Sequence, residues 1–489
     1  MIGGSGWGVS GPVHQPRTIG TIPDDSLLEI FGFYVEVAYE SYSPVEFSGI
    51  ENLEAWLTLV HVCRRWRSLV FASPRRLNLR LVCTRRKPVR EMLDIWPTLP
   101  IVVDDQHRGR LRPPWMKLAG VDSVIAALEH QNRVCQISLE CLPSSQFFIF
   151  TEMMQEPFLG LTSLYLDARV ESPMLHPDSF LGGSAPRLRS LTLKCIPLPE
   201  LPTLLLSTKD LVELRLCDIP HSGYISPRAM VTCLSSLTRL EILELRFVSR
   251  QSSPNRSGRH WSSSTCIDLP ALTRFSFEGA NEYIDLVARI NAPLLRHIRI
   301  TFFDRPLFEI SQLSQFIDRL EIFKMPHRAV VDFDCLCTDA KFSLVEDTAY
   351  GSTVMFPVSC ATLEWQLPLM TALFGSSSSP FWLSSSEGLD IRATDEDLDE
   401  NTDVQWLKML QPFTAVKELR IDTHAALHLA RTLQELAGQR AAEVLPTLQD
   451  VFIREYHLLG AAQEAMRPFI AARQLSGHPV TVHRWDSWE

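Results

Sequence analysis

The residues able to do chemistry are scattered, without the partners that chemistry needs. Cys335-Leu336-Cys337 is the one close pair among eleven cysteines, and a zinc site ordinarily adds a second pair or a nearby His. His424 and His428 stand four residues apart, on one helical face, but no third ligand is spaced to join them. Asp395, Glu396, Asp397, Asp399 and Glu400 could ligate calcium, yet they lack the alternating Asp/Asn and Gly order of an EF-hand loop. Gly6-Trp7-Gly8-Val9-Ser10-Gly11 spells the phosphate-cradling GxGxxG, but no strand precedes it, so it reads as tail composition. No GxxxxGK[ST], HExxH or GxSxG occurs. The sequence therefore predicts no catalytic residue, no metal site and no bound cofactor. The chain reads as a non-enzyme.

Binding is the remaining class. From Arg64 to Arg90 there are ten Lys/Arg and no Asp or Glu, but the strip lacks the interleaved aromatics of a single-strand binder. A solvated face, turned toward an acidic partner, is the reading. Over 489 residues the formal charge is −10, which argues against a nucleic-acid coat. Every apolar run is interrupted before the roughly 18 residues a membrane helix needs, so no membrane partner is expected. Most of the cysteines lie in apolar segments, where a free thiol behaves as a small hydrophobe. Asn255-Arg256-Ser257 matches a glycosylation sequon by chance. The expectation is an intracellular chain, cytoplasmic, nuclear or both.

The elements follow from periodicity. Residues 1–18 read as a Gly-, Ser- and Pro-rich tail, and 19–73 as a compact helical block. Ile22-Pro23-Asp24-Asp25 opens a helix with Pro and acids in the first turn, and Leu27, Leu28, Ile30, Phe31 and Tyr34 recur at helical spacing. A second helix is predicted from about Asn52, through Leu53, Trp56, Leu57, Leu59, Val60, Cys63 and Trp66, to Ser73-Pro74. Residues 74–116 read as a linker or first irregular repeat. Leu77, Leu79 and Leu81 suggest a strand, Pro88 to Trp96 a helix and Leu99 to Val103 another strand.

Beyond residue 117 one pattern recurs: apolar, two residues, apolar, one residue, apolar. It appears as Val134-Ile137-Leu139, Leu161-Leu164-Leu166, Leu188-Leu191-Leu193, Leu211-Leu214-Leu216 and Leu240-Leu243-Leu245. Leu272-Phe275-Phe277, Leu295-Ile298-Ile300 and, less regularly, Ile317-Leu320-Ile322 continue it, and Val416-Leu419-Ile421 and Leu448-Val451-Ile453 resume it. Successive starts from 134 to 317 are 27, 27, 23, 29, 32, 23 and 22 residues apart. Those gaps bracket the roughly 20–29 residues of a leucine-rich repeat. The expected fold class is α/β: short parallel strands with helices and loops, an irregular leucine-rich-repeat-like solenoid over 117–489. A doubly wound α/β domain is the alternative. Regular repeats carry Asn or Cys three residues after the last Leu, whereas these positions hold Leu142, Arg169, Ile196, Ile219 and Val248. Loop insertions are expected near 250–264 and 376–403, with divergent strands at Thr353–Val358 and Gly388–Arg392.

Two segments of the helical block carry a resemblance. Ile22-Pro23-Asp24-Asp25-Ser26-Leu27-Leu28-Glu29-Ile30-Phe31 and Leu59-Val60-His61-Val62-Cys63-Arg64-Arg65-Trp66-Arg67-Ser68-Leu69 resemble the two halves of the F-box, in order. Ile22 stands where the family usually has Leu, and Glu36 to Glu51 makes a longer insertion than most F-boxes carry. With Ser73-Pro74-Arg75-Arg76-Leu77-Asn78-Leu79 and Trp96-Pro97-Thr98-Leu99-Pro100, the chain resembles the F-box proteins of mushroom-forming fungi, whose C-terminal parts are irregular leucine-rich arrays.

The resemblance implies a Skp-type adaptor as partner and, through it, a cullin–RING ubiquitin ligase of the SCF type. The adaptor-binding set it implies is Pro23, Leu27, Leu28, Ile30, Phe31, Leu59, Val62, Cys63 and Trp66. The array would then capture an unknown protein substrate, acting through proximity rather than its own chemistry. Two further readings remain: a ubiquitin-independent scaffold using the array alone, and an enzyme hidden between Phe323 and Phe413.

Overall fold

The computed structural model describes residues 22–40, 55–83, 89–96, 98–105, 121–169, 180–198, 200–248, 266–302, 316, 319–320, 327–334, 339–345, 353–359, 366–374, 381–393, 403–434, 443–454 and 460–484. The tail, the sequon, Cys335–Cys337 and the acidic run lie outside these residues, as do Ile317 and Ile322. The chain is mixed α/β and divides into two units, 1–135 and 136–489. No described helix is long and apolar enough to cross a membrane.

In the first unit, α1 (Asp24–Glu40) begins where the sequence places it. Asp24 and Asp25 occupy its first turn, and the Leu27 N–H donates to the Pro23 carbonyl at 3.1 Å. The single second helix expected to Ser73 is two, α2 (Trp56–Val62) and α3 (Arg64–Ala72). Cys63 between them is extended (φ −158°, ψ 170°), and its sulfur accepts the Trp66 N–H at 3.5 Å, so the thiol caps α3 where a hydroxyl or carboxylate commonly would. The Leu77–Leu81 alternation is not one strand either. Asn78 turns through the left-handed region (φ 48°), and only Leu81–Cys83 forms β1, although all three leucines are buried. α4 (Val89–Ile95) and β2 (Ile101–Asp105) follow, with β2 parallel to β1 in the register Leu81↔Ile101, and α5 (Val121–Leu128) closes the unit's helices.

The second unit opens within β3 (Val134–Pro143). The chain then runs through α6 (Ser144–Met153), β4 (Ser163–Arg169), β5 (Ser190–Lys194), α7 (Leu201–Ser207), β6 (Glu213–Ile219), α8 (Pro227–Leu234) and β7 (Ile242–Phe247). β8 (Ile267–Asp268), β9 (Arg274–Gly279), α9 (Ile284–Arg289), β10 (Ile290–Asn291) and β11 (His297–Phe302) complete this half. Strands β3-β4-β5-β6-β7-β9-β11 lie side by side in that order, every pair parallel, while β8 and β10 form a separate parallel pair. The register aligns the sequence repeats column by column. Ile137, Leu164, Leu191, Leu214, Leu243, Phe275 and Ile298 form one ladder, and Leu139, Leu166, Leu193, Leu216, Leu245, Phe277 and Ile300 the next. None of the fourteen is more than 3% exposed. The residues between them are half-exposed in β5, β6, β7 and β9, so one face of this sheet is buried and the other open.

A second sheet follows, built from β12 (Arg328–Asp334), β13 (Asp339–Val345), β14 (Thr353–Ser359), α10 (Gln366–Phe374), α11 (Phe381–Ser385) and β15 (Gly388–Ala393). α12 (Asp403–Leu410), β16 (Glu418–Asp422), α13 (Thr423–Gln434), β17 (Asp450–Arg454), α14 (Ala461–Leu475) and β18 (Thr481–Arg484) end the described chain. Its strand order is β14-β13-β12-β15-β16-β17-β18. Here the expectation of parallel strands fails locally, since β12–β13 and β13–β14 are antiparallel. Only residues 335–338 join β12 to β13, too few for the dozen or so that a parallel crossover requires. The stretch 376–403 is not simply an inserted loop, because it contains α11 and β15. From β12 onward the parallel ladder resumes as Ala329, Leu389, Leu419, Val451 and Val482, and β18 extends it beyond the last sequence repeat.

The missing asparagine ladder has a structural counterpart. Cys141, Cys195 and Asp218 stand two residues after the last ladder position of their repeats, and all three take left-handed backbone (φ 52°, 57° and 54°). The following Leu142, Ile196 and Ile219 are thereby turned inward and buried. These repeats leave the strand on an apolar anchor instead of a side-chain amide.

Candidate functional site

Helix α1 is apolar on two sides. Leu27, Leu28, Phe31 and Val35 are buried, and Phe31 packs its ring 4.6 Å from that of Trp66 on α3. The other side carries Ile30, Phe33, Tyr34 and Val37, which remain 52%, 69%, 44% and 59% exposed. Their spacing, i, i+3, i+4, i+7, is one continuous helical stripe. Val62 at the end of α2 is 56% exposed as well.

The residues singled out by the sequence thus divide. Pro23, Ile30, Val62 and Cys63 are exposed and Trp66 is half-buried, whereas Leu27, Leu28, Phe31 and Leu59 fill the unit's own core. Phe33 and Val37 were missed, although their spacing from Ile30 was legible. A motif comparison draws attention to matched positions and passes over the unmatched residues on the same face.

Electrostatics fix these helices together. Arg65 on α3 donates to the Asp24 carboxylate and to the Ile22 carbonyl, both at 2.5 Å, and Arg76 pairs with Asp25 at 2.8 Å. Arg67 donates to the Val60 carbonyl at 2.9 Å across the α2–α3 break. Part of the basic strip therefore holds the acidic first turn of α1. Being exposed, each ion pair contributes at most about 1 kcal/mol. Trp56 is buried, donates to the Arg80 carbonyl at 3.1 Å and meets Trp96 edge-on.

The second unit's open sheet face is charged. Arg215 pairs with Glu213 on its own strand and with Glu244 at 3.4 Å, while Arg246 reaches Glu244 at 3.2 Å. On the second sheet, Arg328 bridges Asp390 (2.7 Å) and Glu418 (2.8 Å). Burial raises the Asp390 pKa above the ordinary aspartate range, against the pull of Arg328. Asp422 caps α13 through the Ala425 N–H (2.9 Å) and also accepts the Ala393 N–H at the end of β15 (2.7 Å). Its pKa is likewise raised by burial, which outweighs both bonds.

Other candidate groups have structural surroundings. Burial pushes the Cys217 and Cys233 thiols up to about 11, away from reactive thiolate. His424 and His428 share α13 as expected but are half-buried rather than exposed. Glu140, Cys141 and Asp167 bring ligand atoms within 4.8 Å of one another, a grouping invisible in sequence. The Lys194 ammonium, 3.2 Å from Asp167, already balances it. No protein-family model matches the chain, and no curated protein matches it.

Proposed function

We propose that the chain is an adaptor-docked receptor: an F-box-like helical unit that binds a Skp-type adaptor, followed by an irregular leucine-rich-repeat array that holds a protein substrate for a cullin–RING ubiquitin ligase. The single observation that carries this reading is the exposed stripe Ile30, Phe33, Tyr34 and Val37, which starts at the end of the segment resembling the first half of an F-box and continues along the same helix. Four large apolar side chains contiguous on one helix face are the mark of a surface that a partner covers. The repeat reading of the second unit rests on the in-register ladders at gaps of 22 to 32 residues and on the alternating burial of its strands. A doubly wound domain would cover both faces and make strands buried throughout.

The test is co-expression of the full chain with a Skp-type adaptor, followed by size-exclusion chromatography with light scattering. A one-to-one complex is expected. The triple variant Ile30→Ser, Phe33→Ser, Val37→Ser should weaken it at least about 30-fold, the equivalent of one hot-spot contribution of roughly 2 kcal/mol. An intact chain that ignores the adaptor, or a complex indifferent to the triple variant, overturns the reading.

A further inference from the structure

On the open face of the first sheet the charges are balanced until β9 and β11. Arg274 lies directly across from His297, and Arg299 directly across from Ser276. The three basic residues are exposed, and their side chains have no ion-pair or hydrogen-bond partner among the described residues. Two acids lie near them in register: Glu244 on β7, opposite Ser276 and already shared by Arg215 and Arg246, and Glu278 on β9, opposite Arg246 and Thr301 and itself engaged. A groove of about 310 Å³ runs over this region, lined by Arg215, Glu244, Arg274, Ser276, His297 and Arg299. Arg274 comes from a strand more than twenty residues before His297 and Arg299, so sequence spacing does not announce the three as one group. Two unneutralised arginines beside a histidine are anomalous on a chain of net charge −10. Elsewhere on the same two sheets Lys194, Arg215, Arg246, Arg328 and Arg420 all have carboxylate partners.

We propose that this groove, through Arg274, His297 and Arg299, binds an extended segment of a partner protein rich in Asp and Glu. The spacing selects the ligand. Side chains two residues apart on a strand are rooted roughly 7 Å apart, as are alternate side chains of an extended peptide laid along it. Separate carboxylates can therefore meet His297 and Arg299 in step while Arg274 takes a third from the neighbouring strand. Arginine's fork suits a carboxylate bidentately, and the half-exposed Ser276 supplies a hydroxyl between them. A single compact anion would leave at least one cation unmatched.

The inference deepens the receptor reading by naming a substrate class, but its test needs no adaptor, so a failure of docking and a failure of this groove are read separately. Fluorescein-labelled poly-glutamate is titrated into the full chain by fluorescence anisotropy at low and moderate salt. A phosphoserine peptide of equal charge and oligodeoxythymidylate serve as competitors. Saturable poly-glutamate binding is expected, weakened at least tenfold in Arg274→Gln/Arg299→Gln and unchanged in Arg228→Glu, an equal change of net charge on the exposed side of α8. Circular dichroism of both variants should match the parent chain. Equal binding by the groove variant, equal loss in Arg228→Glu, no binding at all, or displacement only by the phosphopeptide or the oligonucleotide would each overturn the proposal.

Discussion

Helix α1 and strand β6 contain similar proportions of large apolar residues, yet they use them in opposite ways. In β6, Leu214 and Leu216 are fully buried between neighbours that repeat them in register, and the open face carries Glu213 and Arg215. In α1, half of the large apolar side chains among the described residues stand in solvent. A sheet of repeats satisfies its own hydrophobic positions because each strand supplies the cover for the next. The small helical unit has too few elements to do so, and the surplus remains on one face. The parallel sheet thus buries its own apolar positions, whereas α1 leaves part of its apolar surface in solvent.

The sharpest way to break this comparison is to truncate one side chain of each kind. Leu214→Ala removes a ladder residue from the middle of the sheet and should cost about 2–5 kcal/mol in urea denaturation. Phe33→Ala, a larger truncation on the exposed stripe, should change stability by no more than about 0.5 kcal/mol. Comparable losses would mean that the stripe belongs to the fold itself.

A smaller effect is expected at Asp422, where one carboxylate joins β15 to the start of α13. Asp422→Ala leaves two N–H groups without their acceptor and should cost about 1–2 kcal/mol. The pH dependence has a definite sign. Because the folded-state pKa is raised by burial, this group's favourable contribution is complete below the ordinary aspartate range and is lost as pH rises through the raised folded value. Asp422→Asn should flatten that part of the stability profile, read as the denaturation midpoint from acid to neutral pH. An unchanged slope would mean that another group sets it.

The smallest effect refines the array's turn. Cys195 holds left-handed backbone at φ 57°, a region that glycine enters without penalty. Cys195→Gly should stabilise the chain by about 0.5–1 kcal/mol in the same assay, offset in part by the lost side chain. Destabilisation would show that the thiol's contacts outweigh the backbone relief.

Much of this architecture was legible beforehand, for identifiable reasons. A buried strand in a repeating array must place apolar residues at the same two positions each time, so Leu191-x-Leu193 and Leu214-x-Leu216 announced both the strands and their mutual register. The first-turn acids and Pro23 likewise marked the start of α1. The break at Cys63 was not legible, since Val62 and Arg64 are compatible with a continuous helix and the cap is a thiol–amide contact. Strand β12 was missed because its neighbours β13 and β14 interrupt the spacing that would have revealed it.

The division between what the chain encodes locally and what folding decides follows from the range of the interactions. Periodicity and composition are set within a few residues of one another, and the sequence alone determined the α/β class and the ladder positions. Which side of α1 faces solvent depends on where α3 puts Trp66 against Phe31, and that is a tertiary outcome. The same holds for the charges on the open sheet face. Arg274, His297 and Arg299 become neighbours only when β9 and β11 pair, because strand register, not sequence distance, sets which side chains share a surface.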